Sequence, residues 1–102
     1  LSKSFDQSAP LGLFKAYDPD FIDLEKLLFS CSVNGNLRQQ GNTRDMIFPI
    51  KSLIHTLSRW WTLRPGDIIF TGTPAGVGSL KVGDRVDIEC AETGKFSWSF
   101  SL

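Results

Sequence analysis

Hydrophobic and polar residues alternate along three stretches of the chain, and this period of two predicts β-strands. The stretches cover residues 27–33, 86–90 and 96–102. In the first, Phe29, Cys31 and Val33 share one face, while Ser30 and Ser32 point the other way. Each such strand is therefore expected to have one apolar and one polar face.

Turn residues predict how these strands are connected. Asn34-Gly35 follows the first strand and predicts a tight type I′ hairpin, because both central residues of that turn need a positive φ. The return strand is expected over residues 36–40, with Gly41-Asn42-Thr43 ending it. Thr93-Gly94 predicts a second hairpin between the last two strands.

Two further strands are predicted from apolar content without alternation. Residues 11–17 resemble a strand of moderate regularity. Residues 68–70 form a short continuous apolar run after the turn Arg64-Pro65-Gly66-Asp67, which is typical of a strand covered on both faces.

One helix is predicted in the middle of the chain. Ile50, Leu53, Ile54 and Leu57 follow the i, i+3, i+4, i+7 spacing of an apolar helical stripe. Pro49 suits the first turn of a helix, where its missing N–H costs little. The helix is expected to end at residues 60–62. Six strands with one helix predict a β-rich α+β fold, with a sheet packed on a sheet and no βαβ repeat.

Composition and charge narrow the class of function. The 102 residues suit one domain, and 41% apolar content makes a packed core feasible. Eleven basic and eleven acidic residues cancel and are interspersed, so nucleic-acid binding is not expected. Neither a membrane span nor a secretory signal is predicted. Cys31 and Cys90 match no metal spacing, so we expect two buried free thiols in a reducing cytosol.

The sequence TGTPAGVG, residues 71–78, is unusually rich in glycine and threonine for a simple connection. It lacks the Gly-Lys-Ser/Thr triplet of a P-loop, and Lys81 stands where a dinucleotide fingerprint needs its third glycine. Phosphate binding of either kind is excluded on spacing. Two interpretations remain: a structural turn, or a loop whose backbone N–H groups and threonine hydroxyls approach a ligand.

Other polar residues give no catalytic set by spacing alone. His55, the single histidine, lies at the edge of the helical stripe and is expected at the surface. Lys3 by itself would be an ordinary solvated lysine. Arg38 and Arg44 flank a polar segment that could be a site rim or a solvated strand end. No carboxylate or histidine cluster predicts a metal site.

The glycine-rich loop and its surroundings resemble the fumarylacetoacetate hydrolase family. The matching motifs, in chain order, are KSFD (3–6), SVNG (32–35), RQQGNT (38–43), LRPGDIIFTGTPAGVG (63–78) and KVGD (81–84). The resemblance covers essentially all of residues 1–102, but only the C-terminal portion of a family catalytic domain. It is nearest to the acylpyruvate hydrolase and oxaloacetate decarboxylase branch, and implies a β-roll or sandwich fold with one main helix.

The resemblance implies a hydrolase of C–C bonds in 2-oxo and β-diketo acids, with decarboxylation of oxaloacetate as the related reaction. Such enzymes use a divalent metal, usually Mg²⁺, with Mn²⁺ or Ca²⁺ as substitutes, whose Lewis acidity polarises the carbonyl. Lys3 matches the family's catalytic lysine, and Thr73 with Gly72 matches its substrate-binding glycine loop. The family's metal ligands lie upstream of the lysine motif, so this chain carries none of them.

The chain alone is therefore expected to be inactive, as part of a longer or split enzyme that works with the upstream half of the domain. A homodimer, a small 2-oxo acid substrate and a cytoplasmic location are expected, or a mitochondrial one in a eukaryote. Two alternatives remain open. One is isomerisation of a dienoate diacid on the same fold, and the other is a non-catalytic binding or assembly domain.

Overall fold

The structure, a computed structural model, describes residues 8–101. Its elements, in chain order, are strand β1 (Leu28–Val33), strand β2 (Asn36–Asn42), a 3₁₀ turn (Thr43–Asp45), helix α1 (Ile50–Trp60), strand β3 (Arg85–Cys90) and strand β4 (Gly94–Ser99). The strands form one antiparallel sheet in the order β2-β1-β3-β4. The β-rich α+β class with one main helix is confirmed.

Both predicted hairpins are present. Asn34 and Gly35 have φ angles of 52° and 82°, as the turn between β1 and β2 requires. Gly94, with φ of 108°, helps the chain to turn from β3 into β4. Strand β1 lies between β2 and β3, so the two hairpins join through the pairing of β1 with β3.

The apolar face of the sheet carries the small core. Val33 lies opposite Val86, and both are buried, with 5% and 9% of their surface exposed. Ile22, from the segment before β1, is the other buried hydrophobic residue described, at 7%. Ile88, at the centre of the same face, is still 40% exposed. The residues described here therefore cover their own apolar face incompletely.

The return strand is longer than the sequence predicts. It continues through Gly41 to Asn42, because Gly41 pairs with Phe29 and lies under its ring. A Cβ added at Gly41 would come within 2.7 Å of the Phe29 ring, so the glycine makes room for the aromatic side chain rather than ending the strand. Thr43 then fixes the strand end: its hydroxyl accepts from Leu27 N at 2.9 Å.

Two predicted strands are wrong. Residues 11–17 and 68–70 are irregular, and neither belongs to the sheet. Leu13 is fully exposed and Phe70 is 75% exposed. An apolar run becomes a strand only when a neighbouring strand pairs with it, and residues 8–101 supply no such neighbour for these segments. The sheet-on-sheet arrangement is likewise absent from the described residues.

Helix α1 has the predicted bounds, but its apolar stripe is poorly covered. Leu53 and Leu57 are half-buried, whereas Ile54 and Trp60 are exposed. None of the helix residues is fully buried. His55 is exposed, as predicted. The helix therefore offers an apolar side that the described part of the chain does not use.

Cys31 and Cys90 are free, as predicted, but half-buried rather than buried. Both lie on the apolar face of the sheet, where cover is incomplete. Within residues 8–101, none of the helical structure combines the length and the apolar character needed to cross a membrane.

Candidate functional site

The candidate site begins at an irregularity in strand β2. Cys31 pairs with Gln39 and the next residue, Ser32, pairs with Leu37, so Arg38 is an extra residue in the ladder. Such a β-bulge bends the strand and changes the direction of the side chains around it. Here it allows Arg38 and Gln39 to contact the same distant segment, although adjacent strand residues normally point to opposite faces.

That segment is the glycine-rich loop, residues 71–78. The Gln39 side-chain amide donates to the Thr73 hydroxyl at 2.7 Å and to the Pro74 carbonyl at 3.0 Å. The Arg38 guanidinium donates to the Ser79 carbonyl at 2.9 Å, just beyond the loop. Three hydrogen bonds from two adjacent residues thus attach both ends of the loop to β2.

Gly76 brings the loop backbone against the bulge. Its φ of +105° is unfavourable for any residue with a Cβ. A Cβ built on it would overlap the Arg38 carbonyl oxygen, a contact that real structures do not tolerate. Glycine at this position is therefore required by contact between two backbones.

Thr73 and Gly72, the predicted substrate-binding residues, lie in this docked loop. Thr73 is exposed, and its hydroxyl is held by Gln39. Gly72 has φ of +91°, and a Cβ added there would meet no atom of the described residues within 4 Å. The loop is thus fixed on the side of β2 and open beside Gly72.

The structure brings some predicted residues together and leaves others apart. Arg38 belongs to the site, whereas Arg44 is exposed and contacts Asp45 at 3.9 Å. Lys3, the predicted catalytic residue, falls within residues 1–7, outside the part of the chain that the structure describes. Gln39 was not singled out by the sequence, because the spacing between residues 39 and 73 carries no motif of its own.

A second polar cluster stabilises the turn that follows the loop. The Asp84 carboxylate accepts from Lys81 N at 2.8 Å and from the Asn34 side chain at 2.9 Å. These two hydrogen bonds, the Lys81 backbone bond first, lower the pKa of Asp84 below its usual value. The Asp84 carboxylate, held by these two hydrogen bonds, stabilises the turn over residues 81–84.

A second carboxylate lies on the polar face of the sheet. Ser97 donates to the Asp87 carboxylate, and this hydrogen bond is the main reason why the pKa of Asp87 is lowered. Arg85 also contacts Asp87 at 3.2 Å. Both carboxylate oxygens of Asp84 and one carboxylate oxygen of Asp87 therefore accept hydrogen bonds from other groups of the protein.

Residues 8–101 do not form a metal centre. No group of three or more His, Cys, Asp or Glu side chains in this range is arranged to hold an ion. A hard cation such as Mg²⁺ takes most of its ligands from carboxylate and carbonyl oxygens. The described residues therefore do not form a metal centre by themselves, and we assign them no step that passes through a metal.

Comparison with known proteins identifies the family. The model of the fumarylacetoacetate hydrolase C-terminal domain matches residues 1–99. The chain belongs to the fumarylacetoacetate hydrolase family. It is 42% identical over 104 residues to the oxaloacetate tautomerase YisK of Bacillus subtilis, covering 95% of this chain and 35% of that protein.

Solved structures extend the likeness to the fold. Maleylpyruvate hydrolase from Sphingobium sp. SYK-6, in complex with manganese(II) and pyruvate, is 41% identical with a TM-score of 0.78, over 83% of this chain and 33% of that one. A 5-carboxymethyl-2-hydroxymuconate delta-isomerase from Mycobacterium smegmatis is 35% identical with a TM-score of 0.75, over 78% and 32%. The chain thus spans about a third of the length of these family members.

Proposed function

We propose that this chain is the C-terminal portion of an enzyme that acts on small 2-oxo acids, and that its glycine-rich loop forms one wall of the substrate pocket. The observation that carries the proposal is the docked loop. Thr73 is held in place on one side, and no atom of residues 8–101 lies within 4 Å of a Cβ added at Gly72. Relatives that act on oxaloacetate and maleylpyruvate support the substrate class.

Hydrolysis and tautomerisation of such compounds share one chemical requirement. Cleaving an acylpyruvate releases pyruvate through its enolate, and tautomerising a 2-oxo acid moves a proton through the same kind of species. In both, negative charge develops on the oxygen of the 2-oxo group, next to a carboxylate. A preorganised hydrogen-bond donor or cation at that oxygen lowers the barrier, because it stabilises charge that is larger in the transition state.

Thr73 and Lys3 are assigned complementary parts in this chemistry. The Thr73 hydroxyl donates a hydrogen bond to a negatively charged substrate oxygen. The Lys3 ammonium supplies a positive charge near the same oxygens, and Gly72 lets the substrate approach the loop backbone closely. Oxaloacetate decarboxylation would use the same groups, since it also leaves an enolate.

A divalent metal is part of the proposal for the whole enzyme. It would supply Lewis acidity at the 2-oxo group. Mg²⁺ is the expected ion, and the manganese and pyruvate bound by the maleylpyruvate hydrolase support a divalent ion together with this substrate type. The family resemblance assigns the metal ligands to the upstream half of the domain, and residues 8–101 hold no cluster of three or more ligand side chains beside them.

The exposed apolar surface supports a large protein contact in the whole enzyme. The chain exposes 8445 Å², whereas a folded monomer of 11.4 kDa would expose about 5,800 Å². Phe70, Ile54 and Trp60 are among the exposed side chains. We propose that the upstream half of the domain covers much of this surface in a cytoplasmic homodimer.

The decisive experiment uses the full protein that contains this chain, supplied with Mg²⁺ or Mn²⁺. An acylpyruvate, oxaloacetate and a dienoate diacid are followed by NMR, which separates C–C cleavage, decarboxylation, keto–enol exchange and double-bond migration. Acceleration of any of the first three supports the proposal. Double-bond migration alone favours the isomerase, for which the mycobacterial relative is the specific precedent. No acceleration with any of these substrates would leave a binding or assembly role and overturn the proposal.

A further inference from the structure

The contact between Gln39 and the glycine-rich loop fixes the direction of a hydrogen bond. The Pro74 carbonyl oxygen can only accept, so the amide group that faces it at 3.0 Å must be the NH₂ end of Gln39. The same nitrogen lies 2.7 Å from the Thr73 hydroxyl oxygen. Gln39 therefore donates to Thr73, and not the reverse.

This polarity determines what Thr73 can offer to a ligand. A hydroxyl has one hydrogen to donate and two lone pairs that accept. Because Gln39 occupies a lone pair of Thr73, the hydroxyl hydrogen is left to point elsewhere, and no residue of 8–101 accepts it. An exposed donor fixed in this way suits a negatively charged oxygen better than a positively charged or donating group.

We propose that Gln39 is the positioning residue of this site, which holds the Thr73 hydroxyl as a hydrogen-bond donor toward an anionic oxygen of the substrate. The inference rests on the proposed function for the identity of that substrate. Gln39 does not touch the substrate and acts through Thr73. Nothing in the sequence motif alone assigns this role, because the contact joins residues 34 positions apart.

The rest of the loop has anchors of its own, which makes the role separable from folding. Arg38 holds the Ser79 carbonyl, and Gly76 packs on the Arg38 backbone. Losing the Gln39 amide should therefore release the Thr73 hydroxyl without unfolding the sheet. A substitution that reverses the direction of the hydrogen bond between residues 39 and 73 tests this role more directly than one that shortens the side chain.

Gln39→Glu provides that change with almost no change in size. The new carboxylate accepts the Thr73 hydrogen, which removes the donor from the substrate, and it repels the Pro74 carbonyl oxygen. Gln39→Met is the apolar companion, which removes the bond without reversing it. Gln40→Glu is the matched control. Gln40 is the next residue and is exposed, and this substitution makes the same change of charge without removing the Gln39 hydrogen bonds to the loop.

The measurements are kcat and KM on the 2-oxo acid that the full protein turns over, as a function of pH. We expect Gln39→Glu to lower kcat/KM by about 10- to 100-fold at pH 7.5, Gln39→Met by less, and Gln40→Glu to match the wild type. The loss in Gln39→Glu should shrink as pH falls toward the ordinary carboxyl pKa of about 4.3, because the protonated group can donate again. Equal losses in Gln39→Glu and Gln39→Met with the wild-type pH profile would mean a merely structural role and overturn the inference.

Amide hydrogen exchange of residues 71–79 gives a readout that needs no substrate. Faster exchange in Gln39→Glu than in Gln40→Glu shows that Gln39 holds the loop, which the positioning role requires, even if the wild type turns over none of the tested acids and the proposed function fails. Unchanged loop exchange together with unchanged kinetics in Gln39→Glu overturns the positioning role while leaving the 2-oxo acid activity intact.

Discussion

The side-chain amide of Asn34 donates to the Asp84 carboxylate at 2.9 Å, although the two residues are 50 positions apart. The other end of the same amide accepts from Arg85 N at 2.9 Å. The Asn34 backbone N–H also donates to the Arg85 carbonyl. A single turn residue thus joins the first hairpin to the turn that follows the glycine-rich loop.

The acid stability of the protein should depend on this contact. The pKa of Asp84 is lowered in the folded state, chiefly by the Lys81 N–H and then by Asn34. A lowered pKa means that the stabilisation is complete above the ordinary carboxyl value and is lost as pH falls through the folded-state value. We expect the urea midpoint to fall less steeply between pH 5 and 2 in Asp84→Asn than in the wild type. Parallel curves for the two proteins would contradict this.

Gly76→Ala should detach the glycine-rich loop from β2. The added Cβ meets the Arg38 carbonyl oxygen, in addition to the strain of a positive φ of about 1–3 kcal/mol. Gly66→Ala is the control, because Gly66 has φ of +96° but open space around a Cβ within the described structure. Both variants should lose stability in a urea titration. Turnover should be lost only in Gly76→Ala, and equal turnover in the two would refute the docking.

Thr73→Val should lower kcat/KM on a 2-oxo acid by roughly 10- to 100-fold, since it removes one donor to a charged oxygen at nearly constant volume. Thr73→Ser keeps the hydroxyl and should retain most of the activity. The thermal midpoint of Thr73→Val should stay close to that of the wild type, because Thr73 is exposed. Wild-type kinetics in Thr73→Val would remove this residue from the site.

Lys3→Met should reduce turnover by roughly 100-fold in the full enzyme, because the proposed function assigns to Lys3 the positive charge that stabilises the developing enolate. Lys15→Met is the matched control at an exposed lysine and should leave turnover unchanged. Steady-state kinetics on the same substrate decide the matter. Similar rates for both variants would mean that Lys3 takes no part in the reaction.

The elements that could be predicted from sequence are those whose signals are local. The Asn34-Gly35 turn, the alternating strands and the helix at Ile50–Trp60 each depend on residues within a few positions of one another. The runs at 11–17 and 68–70 failed as strands because apolar content does not say which surface will cover a segment.

The candidate site could be predicted only in part, for the same physical reason. The resemblance to a family drew attention to the loop, and the substrate-binding role of Thr73 within it stays a prediction. The sequence did not predict the bulge at Arg38 or the hydrogen bond from Gln39. A bulge has no characteristic residue types that would mark it, and the hydrogen bond joins residues that are far apart in the sequence. The need for glycine at position 76 could not be predicted from sequence, because it depends on the Arg38 carbonyl oxygen that lies beside it in the folded chain.

The attachment of the loop to the β2 bulge also bears on the order of folding. The hairpin around Asn34-Gly35 closes a short span of chain, whereas the bond between Gln39 and Thr73 must close a span of 34 residues. Short spans close sooner, because less chain entropy is lost before the contact is made. A refolding chain should therefore form the β1–β2 hairpin before the glycine-rich loop docks on it, and binding competence should appear later than the hairpin.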